Sequence, residues 1–149
     1  MTLFKFEDDF VQSLRCIPMK VRLKLDTCGV KLKLDHWNEL SLDERSALLE
    51  MPCASTLDAK NYRIHLQELI VRYTGEPAKE LDVNPNPPWL DSTFIPQAVQ
   101  DKSQSLNISI TQKQWAKLTP LQRFALIKLS RPSHENRNFL PAMQEFHLT

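Results

Sequence analysis

A chain of 149 residues with 42% apolar and 25% charged side chains has the composition of a globular protein, one that buries about two thirds of its unfolded surface. None of its apolar runs is long enough to cross a bilayer as a helix, and the acids Glu7-Asp8-Asp9 stand where a secretory peptide would carry its apolar stretch; the expected location is the cytoplasm. A net charge of +1 gives no global attraction to nucleic acid or anionic membrane, and three widely spaced cysteines, Cys16, Cys28 and Cys53, do not read as a disulfide framework.

Along the chain, Ile17-Pro18 opens a first helix, with Pro18 suited to its first position. The helix runs to a stop at Gly29, a residue that tolerates a left-handed backbone. The alternating stretch Val30-Lys31-Leu32-Lys33-Leu34 follows, then a short helical turn that carries Trp37. Ser41-Leu42-Asp43-Glu44 has the hydroxyl and the third-position acid of a capping box. It opens a helix whose apolar face is Ala47, Leu48 and Met51 and which stops near Pro52. A further helix around Tyr62, Leu66 and Leu69 closes the unit.

From Glu76 to Thr93 the prolines 77, 85, 87 and 88 forbid a helix or a central strand. This reads as an extended linker, 76–93, laid over the surface through Trp89 and Phe94.

Beyond it the pattern returns. Residues 95–129 align without a gap on residues 17–51, with nine identities in 35 positions, among them Lys24/Lys102, Trp37/Trp115 and Arg45/Arg123; chance would give roughly two. Gly29 is matched by Asn107, the capping box by Thr119-Pro120-Leu121-Gln122, and the closing helix by Phe139, Met143 and Phe146, with Pro141 delaying its start or kinking it. The fold expected is all-α: an internal duplication of a roughly three-helix unit, about 10–75 and 94–147, packed into one compact domain, with one short β-bridge between the two alternating stretches.

The cysteines, with His36 or His65 as a fourth ligand, are a metal hypothesis, but no C-x-x-C pair supports it. Cys16 aligns with Phe94 and Cys28 with Leu106, which reads as core. Cys53, just past Pro52 and without an apolar counterpart, is the candidate exposed thiol. Both tryptophans read as core plugs. Arg45 and Arg123 sit at the fourth position of their helices, where a cation gains nothing from the dipole. Hydrogen bonds to loop carbonyls explain them most simply, and anion binding is the functional alternative. Arg15, Lys20, Arg22, Lys24, Lys31 and Lys33 fall in one run containing only one acid, Asp26. The second unit keeps only Lys102 of these, so the first is the candidate partner surface, with Glu7-Asp8-Asp9 placed to fold back on it. No catalytic motif is present: no G-x-S-x-G, no H-E-x-x-H and no phosphate-cradling glycine loop.

The string Phe6-Glu7-Asp8-Asp9-Phe10, with Leu14-Arg15-Cys16-Ile17-Pro18-Met19, Val21-Arg22-x-Lys24-Leu25-Asp26-x-Cys28-Gly29, Trp37 and Leu40-Ser41, resembles the nitrate reductase-associated protein family. The resemblance implies a small cytoplasmic protein encoded near assimilatory nitrate reductase and molybdenum-cofactor genes, with no defined activity; no cofactor is expected. The expected function is a non-catalytic accessory protein of nitrate assimilation that binds nitrate reductase or a cofactor-insertion factor. A sensor of nitrate or a molybdopterin precursor through Arg45 and Arg123, and a helix-turn-helix-like nucleic-acid binder, are the alternatives.

Overall fold

The computed structural model describes residues 3–7, 16–132 and 134–149. Among these the regular structure is helical, and the only pairing of extended backbone is one isolated bridge. The chain forms two compact units, one of Leu3 with Glu7–Asn84, the other of Phe4–Phe6 with Pro85–Thr149.

The first unit contains α1 (Met19–Cys28), α2 (Leu34–Glu39), α3 (Leu42–Glu50) and α4 (Thr56–Thr74). Pro18 is the residue before α1 rather than its first, held extended at φ −64°, ψ 154°. Proline offers no side-chain acceptor to the first turn. The buried Glu7 supplies one instead: its Oε2 accepts from the Met19 amide at 2.9 Å, placing an anion at a helix N-terminus. Gly29 ends α1 at φ 77°, with its N–H on the Leu25 carbonyl. Ser41 and Glu44 cap α3 reciprocally, at 3.1 and 2.8 Å. Ser55 caps α4 through the Asp58 amide.

Val21, Leu25 and Cys28 of α1 meet Trp37, Leu48, Leu49, Tyr62, Leu66 and Ile70 in one buried cluster. Each fully buried aliphatic side chain there contributes about 1.5–3 kcal/mol.

The bridge is antiparallel, between Val30 and Glu80. The first alternating stretch therefore pairs with the start of the proline-rich segment, and the expected bridge between the two alternating stretches does not form. Lys31 donates to the Lys79 carbonyl and Leu81 to that of Gly29, both at 2.8 Å. Gln67 of α4 grips the same segment, donating to the Ala78 carbonyl and accepting from the Ala78 amide, each at 2.8 Å. The nearer partner wins because backbone groups of 78–81 are presented beside α4 by this amide clamp.

The second unit contains α5 (Gln97–Ser105), α6 (Gln112–Lys117), α7 (Pro120–Leu129) and α8 (Phe139–Glu145). Asn107 takes the left-handed backbone after α5, at φ 58°. Thr111 and Thr119 cap α6 and α7 with boxes closed by Gln114 and Gln122. Six of the residues of α7 are buried, from Arg123 to Ile127 and Leu129. Trp89 sits edge-on to Phe124 with centroids 5.0 Å apart, so the proline-rich segment does pack through Trp89. Phe94, by contrast, is 62% exposed and anchors nothing. Pro141 lies in the first turn of α8, which it shortens to seven residues against the nineteen of α4. Phe4, Phe6 and Phe146 make an aromatic cluster with centroids 5.0–6.2 Å apart.

At Gly29 a Cβ would lie 2.6 Å from the Leu81 carbonyl oxygen, in a backbone conformation that L-residues avoid, whereas at Gly75 (φ 86°) it would meet open space. Gly29→Ala should therefore destabilise by about 1–3 kcal/mol and Gly75→Ala by less. Urea unfolding of the two variants checks this, and equal losses would mean that the 78–81 segment moves aside freely.

Candidate functional site

The basic run does not form one solvated face. Lys24 lies three residues after Val21 and four before Cys28, both buried, so its stem runs along the packed side of α1. Its Nζ donates to the Leu49 carbonyl at 2.6 Å and to the Met51 carbonyl, and stands 5.8 Å from the Tyr62 ring centroid. Burial, with Lys20 nearby, lowers its pKa from the usual lysine value. Lys24 is thus an internal tie that closes the C-terminal end of α3, and it leaves the candidate partner surface. Arg22 is half-buried and donates to the Ile17 carbonyl at 3.1 Å. Lys20 is half-buried, and Lys31 and Lys33 are exposed. Arg15, Asp8 and Asp9 lie outside the described residues.

The two arginines have their donors on backbone carbonyls. Arg45 Nε donates to Trp37 at 3.0 Å and its Nη2 to Asn38 at 3.0 Å, with the guanidinium 5.9 Å from the Trp37 ring centroid. Arg123, only 6% exposed, donates through Nε to Trp115, through Nη1 to Trp89, and through Nη2 to Ala116 and Leu118, at 2.7–3.3 Å. Each thereby ties the last carbonyls of one short helix to the helix that follows, which is the structural role expected of them. Both tryptophans are fully buried.

The expected exposed thiol is not exposed. Cys53 is 5% accessible and its Sγ donates to the Lys24 carbonyl at 3.5 Å. The chain after Pro52 turns back onto α1 instead of leaving the surface. Cys28, also buried, points its thiol at the Leu25 carbonyl. Interaction with the neighbouring Cys53 thiol, reinforced by burial, raises the pKa of Cys28 well above the thiol range; the neighbouring Cys28, with Lys24 close by, lowers that of Cys53. Tyr62 completes the cluster, its hydroxyl on the Leu48 carbonyl at 2.8 Å and its pKa raised by burial. Cys16, expected in the core from its alignment with Phe94, is only half-buried, and Phe94 itself is exposed. Among the described residues no group of three or more His, Cys, Asp or Glu side chains is placed to hold a metal ion.

The surface feature that the sequence reading passed over lies on α4. Its inner side supplies Tyr62, Leu66, Leu69 and Ile70 to the core, while Leu57, Ile64 and Val71 stand outside at 66%, 45% and 43% exposure. They recur every seven residues, which on an α-helix marks a single stripe; that spacing was the available signal. Two depressions flank it. A groove of about 560 Å³ is lined by Ile64, Gln67, Glu68, Val71 and Glu80, with arginines at its edge. A smaller one of about 260 Å³, between α3 and α4, is bordered by Asp43, Glu44, His65, Glu68 and Arg72. There Glu44 accepts from the Tyr73 hydroxyl at 2.7 Å and pairs with Arg72 at 3.8 Å. The Ser41 amide and then Tyr73 hold the Glu44 carboxyl below its ordinary pKa, and Glu44 raises that of Tyr73. Apolar residues edged by both signs of charge are the composition of surfaces on which a helix or strand can pack.

Replacing Arg123 with leucine strands four carbonyls, two of them in bonds to buried donor atoms, and should cost about 3 kcal/mol or more, against about 1 kcal/mol for Arg45→Leu; chemical denaturation that ranked them the other way would contradict the burial difference. Thiol titration of the native protein should show one fast equivalent, Cys16, with Cys28 and Cys53 reacting only on unfolding. A second fast equivalent would refute the buried position of Cys53.

Comparison with curated proteins finds no match, and comparison with solved structures finds none. The family described as conserved nitrate reductase-associated protein matches over residues 3–146. With nearly its whole length inside that match, the chain belongs to the conserved nitrate reductase-associated protein family.

Proposed function

We propose that the chain is a non-catalytic accessory protein of nitrate assimilation, acting in the cytoplasm by binding a protein partner, either nitrate reductase or a factor that inserts its molybdenum cofactor. The observation that carries this reading is family membership across residues 3–146. The surface is compatible with it. Lys31 and Lys33 project from the turn after α1, and Lys20 is partly open on α1 itself, a cationic edge able to meet an acidic partner. Exposed charges of this kind steer association and set specificity more than they add affinity. An anion sensor built on Arg45 and Arg123 has less support, because both guanidinium groups already donate to backbone carbonyls.

The test is affinity purification of the tagged protein from nitrate-grown cells of its native host, with the recovered proteins identified by mass spectrometry. Nitrate reductase or molybdenum-cofactor proteins should be enriched. The triple reversal Lys20→Glu, Lys31→Glu and Lys33→Glu should lower their recovery about tenfold without changing helix content. Undiminished recovery would remove the basic edge from the contact, and enrichment of neither class would sink the reading.

A further inference from the structure

We infer that the outer face of α4 is a self-association surface, on which a second copy of this chain lays its own α4 antiparallel about a two-fold axis at Ile64. The proposal concerns the protein by itself and is independent of its partner in nitrate assimilation. It rests on symmetry within the helix. Leu57 stands seven residues before Ile64 and Val71 seven after; Lys60 stands four before and Glu68 four after; Asn61 stands three before and Gln67 three after. An antiparallel mate centred on Ile64 therefore brings Leu57 level with the other copy's Val71, Ile64 against itself, and Lys60 level with Glu68, the ion pair occurring twice. A parallel mate would instead set Lys60 beside Lys60 and Glu68 beside Glu68, which like charges oppose.

The groove beside the stripe fits this arrangement. Ile64, Gln67, Glu68 and Val71, at i, i+3, i+4 and i+7, are the four corners of a hole for one side chain of a facing helix, and the same four residues border the cavity of about 560 Å³. In the antiparallel register the other copy's Lys60 comes level with the middle of that hole, beside Glu68, and its Leu57, the most exposed residue of the stripe at 66%, comes level with Val71 at the hole's far corner. Two-fold symmetry then repeats both contacts at the second groove, an isologous interface that closes on itself. Gln67 keeps the floor of the hole in place through its two bonds to Ala78. A helix of 19 residues is about 28 Å long, enough for three layers of contact, and one aliphatic layer per seven residues implies a reversible dimer rather than an obligate one.

Sedimentation velocity of the purified protein over a concentration series tests this. A monomer–dimer equilibrium is expected. Ile64→Asp should weaken it by about 30-fold or more, and Lys60→Glu or Glu68→Lys alone by several-fold, while the double variant Lys60→Glu with Glu68→Lys recovers the wild-type constant. These side chains are exposed, so circular dichroism should show an unchanged fold in each. Register is read by oxidative cross-linking on non-reducing gels against the wild type as control. Ile64→Cys should cross-link to itself, whereas Leu57→Cys should do so only when mixed with Val71→Cys. A wild type that stays monomeric at high concentration, an Ile64→Asp variant that still dimerises, a charge swap without recovery, or self-cross-linking of Leu57→Cys as efficient as that of Ile64→Cys would each overturn the proposal.

Discussion

Each unit depends on an arginine that answers the loose end of a short helix. A helix of six residues, as α2 and α6 are, is nearly all terminus: most of its late carbonyls have no amide four residues on to receive. Water could satisfy them, but Trp37 and Trp115 must be buried from those same turns, and burial removes the water. Arg45 and Arg123 resolve the conflict, bringing a forked donor from the first turn of the next helix back onto the carbonyls. The reach is possible because a capping box starts that next helix within one extended residue of the last, fixing the corner between them. Take away the arginine, and either the tryptophan or the carbonyls must return to solvent. In the second unit the same guanidinium also holds the Trp89 carbonyl, so the proline-rich segment is fastened by the device that sets the corner.

Where geometry is local, the sequence declared it. Capping boxes, Gly29 and Asn107 in left-handed backbone, and proline at the start of α7 are decided within four or five residues and were readable as such. The arginines were readable because a cation at the fourth helical position has no local reason to be there, and the structure supplies the nonlocal one. What failed was decided by chain return. Cys53 follows a helix-ending proline, and nothing nearby says that the segment folds back until its thiol meets the Lys24 carbonyl. The bridge joins Val30 to Glu80, two residues past Ala78, whose backbone Gln67 holds. Phe94 is exposed and Cys16 only half-buried, so an apolar residue at the aligned position did not mark core.

Lys24 has a counterpart in Lys102, which sets it apart from the charges of the first unit's basic run that the second unit lacks. Both lysines are in fact internal ties: Lys24 reaches carbonyls at the end of α3, and Lys102 reaches Asn136 at 2.8 Å. The position explains why. A residue three after a buried valine must run its stem along the core side of the helix, as both do behind Val21 and Val99. A charge run read as one face was therefore two populations, divided by the helical period.

The same reasoning isolates the outer side of α4. Its core duties are met by Tyr62, Leu66, Leu69 and Ile70, a stripe that needs no help from the opposite side of the helix. α8, cut short at Pro141, carries only the inner stripe, with Phe139, Ala142 and Met143 buried. Three aliphatics at seven-residue spacing thus keep 43–66% of their surface exposed, outside the core stripe of their own unit. Leaving them in water forgoes the stabilisation their burial would give, and a charged residue would serve a solvated helix face better. Surplus apolar surface arranged in a helical register, with charges of opposite sign placed symmetrically about its centre, is the form that a contact between helices requires.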